Sequence, residues 1–304
     1  KSLTKKDVVG WVGMKDVKKS NVRVLFENDE VGFEHAMVTF NDGNKEAVMS
    51  YYKFKETDEL TIDTFVEDAF QLTQILLERY NQEKIYLVGH SWGSVIGLNF
   101  VLQHPEVIET YIGCGQVVNM QKSSESAYEY ALQKNREASN DKVVKKLEAI
   151  DPTYTQDTWF NDLLYTTKQV VKFEGSLYGK SNYNPMIKEF IFSNQYKIKD
   201  LINRQKGARQ SIELLWQELM ATNFEGNTSF DVPVIFIEGR SDFHVSSILA
   251  EEYYETITSE KAFYWFEVSC HFPQWSEADR FNRLVLDLLV TDHLENKVLL
   301  LHQN

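Results

Sequence analysis

The chain has 304 residues, 43% of them hydrophobic, enough for one substantial core or for a core with an insertion, since single cores stop growing at about 250–300 residues. That excludes a disordered chain, a collagen and a disulfide-stapled mini-fold. Thirty-two Lys and Arg against 45 Asp and Glu give a formal charge of −13, which repels polyphosphate and argues against nucleic acid as a partner.

The charge is uneven from the first residues on. Residues 1–23 carry Lys1, Lys5, Lys6, Lys15, Lys18, Lys19 and Arg23 against Asp7 and Asp16, a local +5 that leaves −18 for the rest. This piece fits either a juxtamembrane segment, where each basic residue near an anionic leaflet is worth about 1 kcal/mol, or the solvated face of the first strands. Val8, Val9, Trp11, Val12 and Met14 favour strands. A start at Lys1 rather than Met fits an upstream segment that is trimmed or lies outside this sequence. No run of 18 apolar residues occurs and the N-terminus lacks the apolar stretch of a signal peptide, so the sequence reads as soluble and cytoplasmic, with no evident membrane association. Two cysteines, Cys114 and Cys270, at no zinc-site spacing, suit a reducing compartment and imply no metal. Nothing resembles a dinucleotide or phosphate loop, so no cofactor is expected. The oligomeric state is not legible.

Further along, residues 22–26 read as a strand, with another near Met37. Behind Thr61, a helix N-cap, apolar residues recur at three- and four-residue spacing from Ile62 to Tyr80, predicting an amphipathic helix. Residues 84–88 (KIYLV) form a short apolar run suited to a strand buried on both faces. Residues 92–103 then predict a helix stopped at His104-Pro105, and residues 107–113 a second strand. The alternation returns at residues 232–237 (strand), 246–257 (helix), 262–268 (strand) and 276–289 (helix), the pattern of a wound, mostly parallel α/β sheet with helices on both faces. Residues 116–229 between the two halves are helical in pattern and rich in aromatics. The expected organisation is a core of residues 1–115 and 230–304 with a helical cap of residues 116–229.

Gly89-His90-Ser91-Trp92-Gly93 is a G-x-S-x-G sequence set between a strand and a helix. A strained turn there pushes the Ser91 hydroxyl out at the sheet's C-terminal edge, and the helix N-terminus adds positive dipole beneath a developing oxyanion. Serine needs a base, and the base needs an orienting carboxylate. Of seven histidines, His90 sits inside the turn, where its side chain should point away from that of Ser91. His104 caps a helix end, and His293 and His302 lie in a polar tail. His271 falls between the last strand and the last helix, at the edge where such sheets bind ligands. Asp242 follows the preceding strand on that same edge, whereas Asp231 precedes it and lies at the opposite one; His244 is too near Asp242 in sequence to be its partner. The order Ser91, Asp242, His271 is the chain order of α/β-hydrolases.

With IYLVGHSWGSVIGL around Ser91, FIEGRSDFHV around Asp242 and HFPQW from His271, the chain resembles an α/β-hydrolase of the proline iminopeptidase type. The resemblance implies Ser91 as nucleophile, His271 as general base and then acid, Asp242 as the orienting group, and the Trp92 backbone N–H as an oxyanion donor. It implies an acyl-enzyme and release of N-terminal residues from short peptides, with cap carboxylates holding the ammonium group; Glu174, Glu218 and the neighbouring Trp216 are the candidates. An esterase or amidase acting on small acyl compounds, or a catalytically impaired binding protein, are the other readings. The family also carries a His-Gly-Gly-Pro-Gly loop after an early strand, and here residues 27–33 (ENDEVGF) stand in that place without a glycine cluster. A degenerate loop, a different alignment and an incomplete N-terminal sequence are the three explanations.

Overall fold

A computed structural model describes residues 17–27, 31–40, 45–53, 60–192 and 198–290. Val8, Val9, Trp11, Val12 and Met14 of the basic N-terminal piece lie outside these residues, as do Asn28, Asp29, Glu30, His293 and His302. The chain divides into two compact units, one drawn from residues up to Leu60 together with Asn184–Leu214, the other from Thr61–Tyr183 and the residues from Leu215 onward.

The first unit holds three antiparallel strands, β1 (Val17–Glu27), β2 (Val31–Phe40) and β3 (Lys45–Lys53), in that spatial order. Phe26 pairs with Phe33 and Glu27 with Gly32 across an antiparallel hairpin. Glu27 and Val31–Phe33 of the stretch compared with a glycine-rich loop are thus strand residues, and Asn28, Asp29 and Glu30 lie outside the described residues.

The second unit is built on a parallel sheet of β4 (Ile85–His90), β5 (Ile108–Cys114), β6 (Val234–Gly239) and β7 (Lys261–Phe266), adjacent in that order. Before β4 runs α1 (Ile62–Tyr80), and Thr61 caps it through a reciprocal pair of hydrogen bonds with Thr64. After β4 comes α2 (Trp92–Gln103), ended at His104, whose ring stacks on Phe70 of α1 at 3.7 Å. Pro233 has no N–H to give, so β6 begins at Val234, and Pro233 serves the sheet as an acceptor from Tyr111 N–H.

Alternate residues of the central strands face opposite sides. Ile112, Cys114, Ile235, Ile237 and Phe266 form one buried layer against Leu288, with Phe281, Leu284 and Val285, from α10 (Ala278–Val290). On the other side Tyr111 lies against Gly97 of α2 and Phe236 stacks on Tyr253 of α8 (Ser247–Thr256). Fully burying one such side chain is worth about 1.5–3 kcal/mol. Helices therefore cover both faces, as the near-continuous apolar strands require.

Between β5 and β6 the chain forms α3 (Met120–Glu137), α4 (Asp141–Leu147), α5 (Trp159–Lys172), α6 (Asn184–Phe192) and α7 (Ile198–Met220). It leaves and returns through a paired neck, where Met120 N–H donates to Thr222 O and Phe224 N–H to Val118 O, with Lys122 and Glu225 in contact at 2.6 Å beside it. The helix expected at residues 276–289 is α10, and a single turn, α9 (Pro273–Ser276), precedes it. Among the described residues no helix is long and apolar enough to cross a membrane.

Candidate active site

The turn after β4 holds Ser91 at φ 54° and ψ −123°, a left-handed conformation that costs a residue with a Cβ about 1–3 kcal/mol and that surrounding structure must enforce. Three contacts enforce it. Ser91 N–H donates to Cys114 O of β5 at 3.0 Å, the Ser94 hydroxyl donates to Ser91 O, and Val117 N–H donates to that same hydroxyl at 3.0 Å. Gly89 permits the tight passage, since a Cβ there would stand 2.6 Å from Gly93 O and 2.9 Å from Ser94 Cα. The turn thus projects the Ser91 hydroxyl at the start of α2, whose first residue is Trp92.

His271 follows β7 and is buried to 2% exposure. Its Nδ1 lies 2.8 Å from Asp242 Oδ2 and its Nε2 lies 2.7 Å from Ser91 Oγ. A carboxylate only accepts, so Nδ1 carries the proton and Nε2 offers its lone pair to the Ser91 hydroxyl. Asp242, in the loop after β6, is fixed in turn: its Oδ1 accepts from the backbone N–H groups of His244 and Val245, both at 2.9 Å. The three residues, 180 positions apart at their extremes, meet in one hydrogen-bonded chain.

The surroundings hold this chain in place. Gly115, at φ +56°, passes so close to the His271 ring that a Cβ would stand 3.0 Å from Nδ1. Gly239 passes the Cys270 backbone carbonyl with no room for a Cβ at all. A segment after α5 reaches both loops: Gly175 O accepts from Phe243 N–H and Ser176 O from His271 N–H. Cys270 Sγ donates to Glu174 O at 3.1 Å. Burial pushes the Cys270 thiol up to about 12, so it stays a protonated, unreactive packing group.

Two further imidazoles flank His271, at ring-centroid distances of 4.9 Å for His90 and 4.7 Å for His244. Burial, and then the neighbouring His271, hold His244 down at about 4 and lower His90 from its ordinary value. Beneath the loops Glu238 is fully buried; its Oε1 accepts from Gln116 N–H at 2.8 Å, while its Oε2 has no partner. Burial raises this carboxyl well above the usual carboxylate range. A lone Glu in the apolar strand VPVIFIEG was the available sign of it in the sequence. The roles of Gly115 and of residues 174–176 had no comparable sign, because both depend on contacts far apart in the chain.

Of the other residues singled out, the Glu174 side chain is exposed, at a left-handed position of φ 63°. Glu218 Oε2 accepts from Ile62 N–H at 2.8 Å, satisfying the N-terminus of α1. Trp216 is buried, donates its Nε1–H to Tyr154 O and stacks on Trp159 at 4.6 Å. Asp231 is exposed ahead of β6, away from the strand ends that carry Asp242 and His271.

The profile of the family described as "Serine aminopeptidase, S33" matches residues 57–273. The chain is 31% identical over 238 residues to a probable aminopeptidase, YbaC, of Bacillus subtilis (strain 168), covering 77% of this chain and 74% of that one. It is 24% identical over 237 residues to a proline iminopeptidase of Heyndrickxia coagulans, covering 75% and 73%. Among solved structures, an α/β fold family hydrolase from Bacillus anthracis str. Sterne aligns with a TM-score of 0.55 at 17% identity, over 88% of this chain and 99% of the other. The chain belongs to the serine aminopeptidase S33 family and is a hydrolase of the α/β-hydrolase fold.

Proposed function

We propose that the chain is a serine hydrolase that works through an acyl-enzyme on Ser91 and releases N-terminal residues from short peptides. The observation that carries this is the unbroken chain of hydrogen bonds from Ser91 Oγ through His271 to Asp242, with Ser91 held in a strained turn. His271 Nε2 takes the hydroxyl proton as Oγ attacks the acyl carbon, and then delivers it to the departing amine. Water repeats the cycle with the same base to free the acyl group. Asp242, already holding two backbone N–H groups, keeps the proton of His271 on Nδ1 and stabilises the imidazolium that forms. The Trp92 N–H, at the N-terminus of α2, is the oxyanion donor we assign.

The peptide reading is supported by the aminopeptidase and proline iminopeptidase relatives. Residues 116–229 would form the cap that limits substrate size. Glu174 is the carboxylate we assign to the substrate ammonium, because its backbone segment bonds both catalytic loops while its side chain is exposed. Glu218 and Trp216 hold structural partners and would act only by shaping that cap. Such chemistry requires no cofactor and suits a cytoplasmic protein.

The test compares a proline arylamide with a p-nitrophenyl ester, alongside labelling by a fluorophosphonate probe. Turnover of the arylamide, with labelling lost in Ser91→Ala, is the expected result. Turnover of the ester alone would favour a small-molecule esterase. Failure of the unmodified chain to label would remove the enzymatic role of Ser91.

A further inference from the structure

His90 is the first variable residue of the G-x-S-x-G turn and takes no part in the proton chain, yet it touches two of its three members. It is covalently next to Ser91, and its Nε2 lies 2.7 Å from the backbone carbonyl oxygen of His271. A carbonyl can only accept, so the His90 Nε2 is the protonated nitrogen and the ring is fixed in that tautomer. Packing holds the ring in the same orientation, with centroids 4.9 Å from His271 and 5.3 Å from Phe272. His271 N–H in turn donates to Ser176 O at 3.1 Å. Both backbone polar groups of the base are therefore engaged, its N–H by Ser176 and its C=O by His90.

The sheet order explains why such a grip is needed. Ser91 follows β4 and His271 follows β7, and β5 and β6 lie between them. At about 4.8 Å per strand, the two parent strands stand roughly 14 Å apart, so any change in twist of the intervening pair moves nucleophile and base relative to one another. Proton transfer tolerates little of this, since a misplacement of about 1 Å can reduce rate by 10²-fold.

We propose that His90 is a positioning residue that ties the loop of the general base to the turn of the nucleophile through its hydrogen bond to the His271 carbonyl, and so sets the Ser91–His271 separation. The proposal rests on the serine-hydrolase reading above. The titratable groups that face His90 are His271, Asp242 and His244. Burial and His271 lower the pKa of His90, so the neutral ring adds no positive charge beside the imidazolium that forms on His271.

The experiment measures the fluorophosphonate labelling rate of Ser91 in the full chain, together with melting temperature, for the unmodified protein, His90→Phe and His90→Gln. Phe fills the space without a donor, whereas the Gln side-chain amide places a donor near the original Nε2. A loss of about 10- to 100-fold with Phe, recovered to within about threefold by Gln at any melting temperature, is the expected result. Equal labelling of His90→Phe and the unmodified protein would overturn the proposal, as would a Gln variant no faster than Phe. If Phe prevents folding, His90→Asn replaces it: its amide is one bond short of the carbonyl, and the same two outcomes apply. An unmodified chain that does not label defeats the serine-hydrolase reading instead, so the two failures are distinct.

Discussion

Replacing Asp242 by Asn tests the chain of hydrogen bonds at its most constrained member. The Asp242 carboxylate accepts three N–H groups: His271 Nδ1–H on Oδ2, and His244 and Val245 backbone N–H on Oδ1. Asn has one acceptor and one donor end, and both orientations conflict with this pattern. If the amide NH₂ faces the loop, the buried Val245 N–H and the part-buried His244 N–H lose their acceptor, the first alone at about 1–3 kcal/mol. If it faces His271, the imidazole needs only to move its proton from Nδ1 to Nε2, and the fold is kept. The second arrangement is the cheaper one, and it removes the lone pair that accepts the Ser91 proton. Asp242→Asn should therefore melt close to the unmodified protein but lose about 10⁴-fold in kcat, equivalent to about 5 kcal/mol of transition-state stabilisation. The assay is steady-state turnover of the best substrate, with the labelling rate of Ser91 as a second readout. Activity within tenfold of the unmodified protein would refute the assigned tautomer and the role of Asp242 with it.

Three further outcomes are expected. Because burial raises the Glu238 carboxyl, the folded chain holds its proton to higher pH than the unfolded chain, so stability is highest below the ordinary carboxylate pKa and falls as pH rises, by up to about 1.4 kcal/mol per pH unit until the raised folded pKa is passed. Glu238→Gln should flatten this decline, and equal pH dependence of the two melting temperatures from pH 5 to 8 would disprove the raised carboxyl. Gly239→Ala forces a Cβ against the Cys270 carbonyl; it should destabilise by about 1–3 kcal/mol and lower kcat by displacing His271, whereas an unchanged variant would show that the two backbones can part freely. Trp216→Ala should lower stability by about 3–5 kcal/mol with little change in KM per folded molecule, and a selective rise in KM at an unchanged melting temperature would place Trp216 at the substrate instead.

Local chemistry made the parallel sheet and the strained turn at Ser91 legible. Thr61 before the periodic run from Ile62, the apolar stretches at β4 and β6, and a G-x-S-x-G between strand and helix each depend on neighbours within a few residues. Chain order and strand edges then pointed to Asp242 and His271, because a parallel sheet presents the C-terminal ends of all its strands on one side. Only the tertiary structure could bring the neutral imidazoles His90 and His244 against His271, thread Gly115 past its ring, carry Ser176 to its N–H and bury Glu238 beneath the loops. It also separated Glu218, engaged at a helix terminus, from Glu174, whose side chain is exposed, although the two look alike as sequence. Periodicity and turn propensity are set by adjacent residues, whereas a hydrogen bond between residues 90 and 271 exists only once four strands have fixed their order and register.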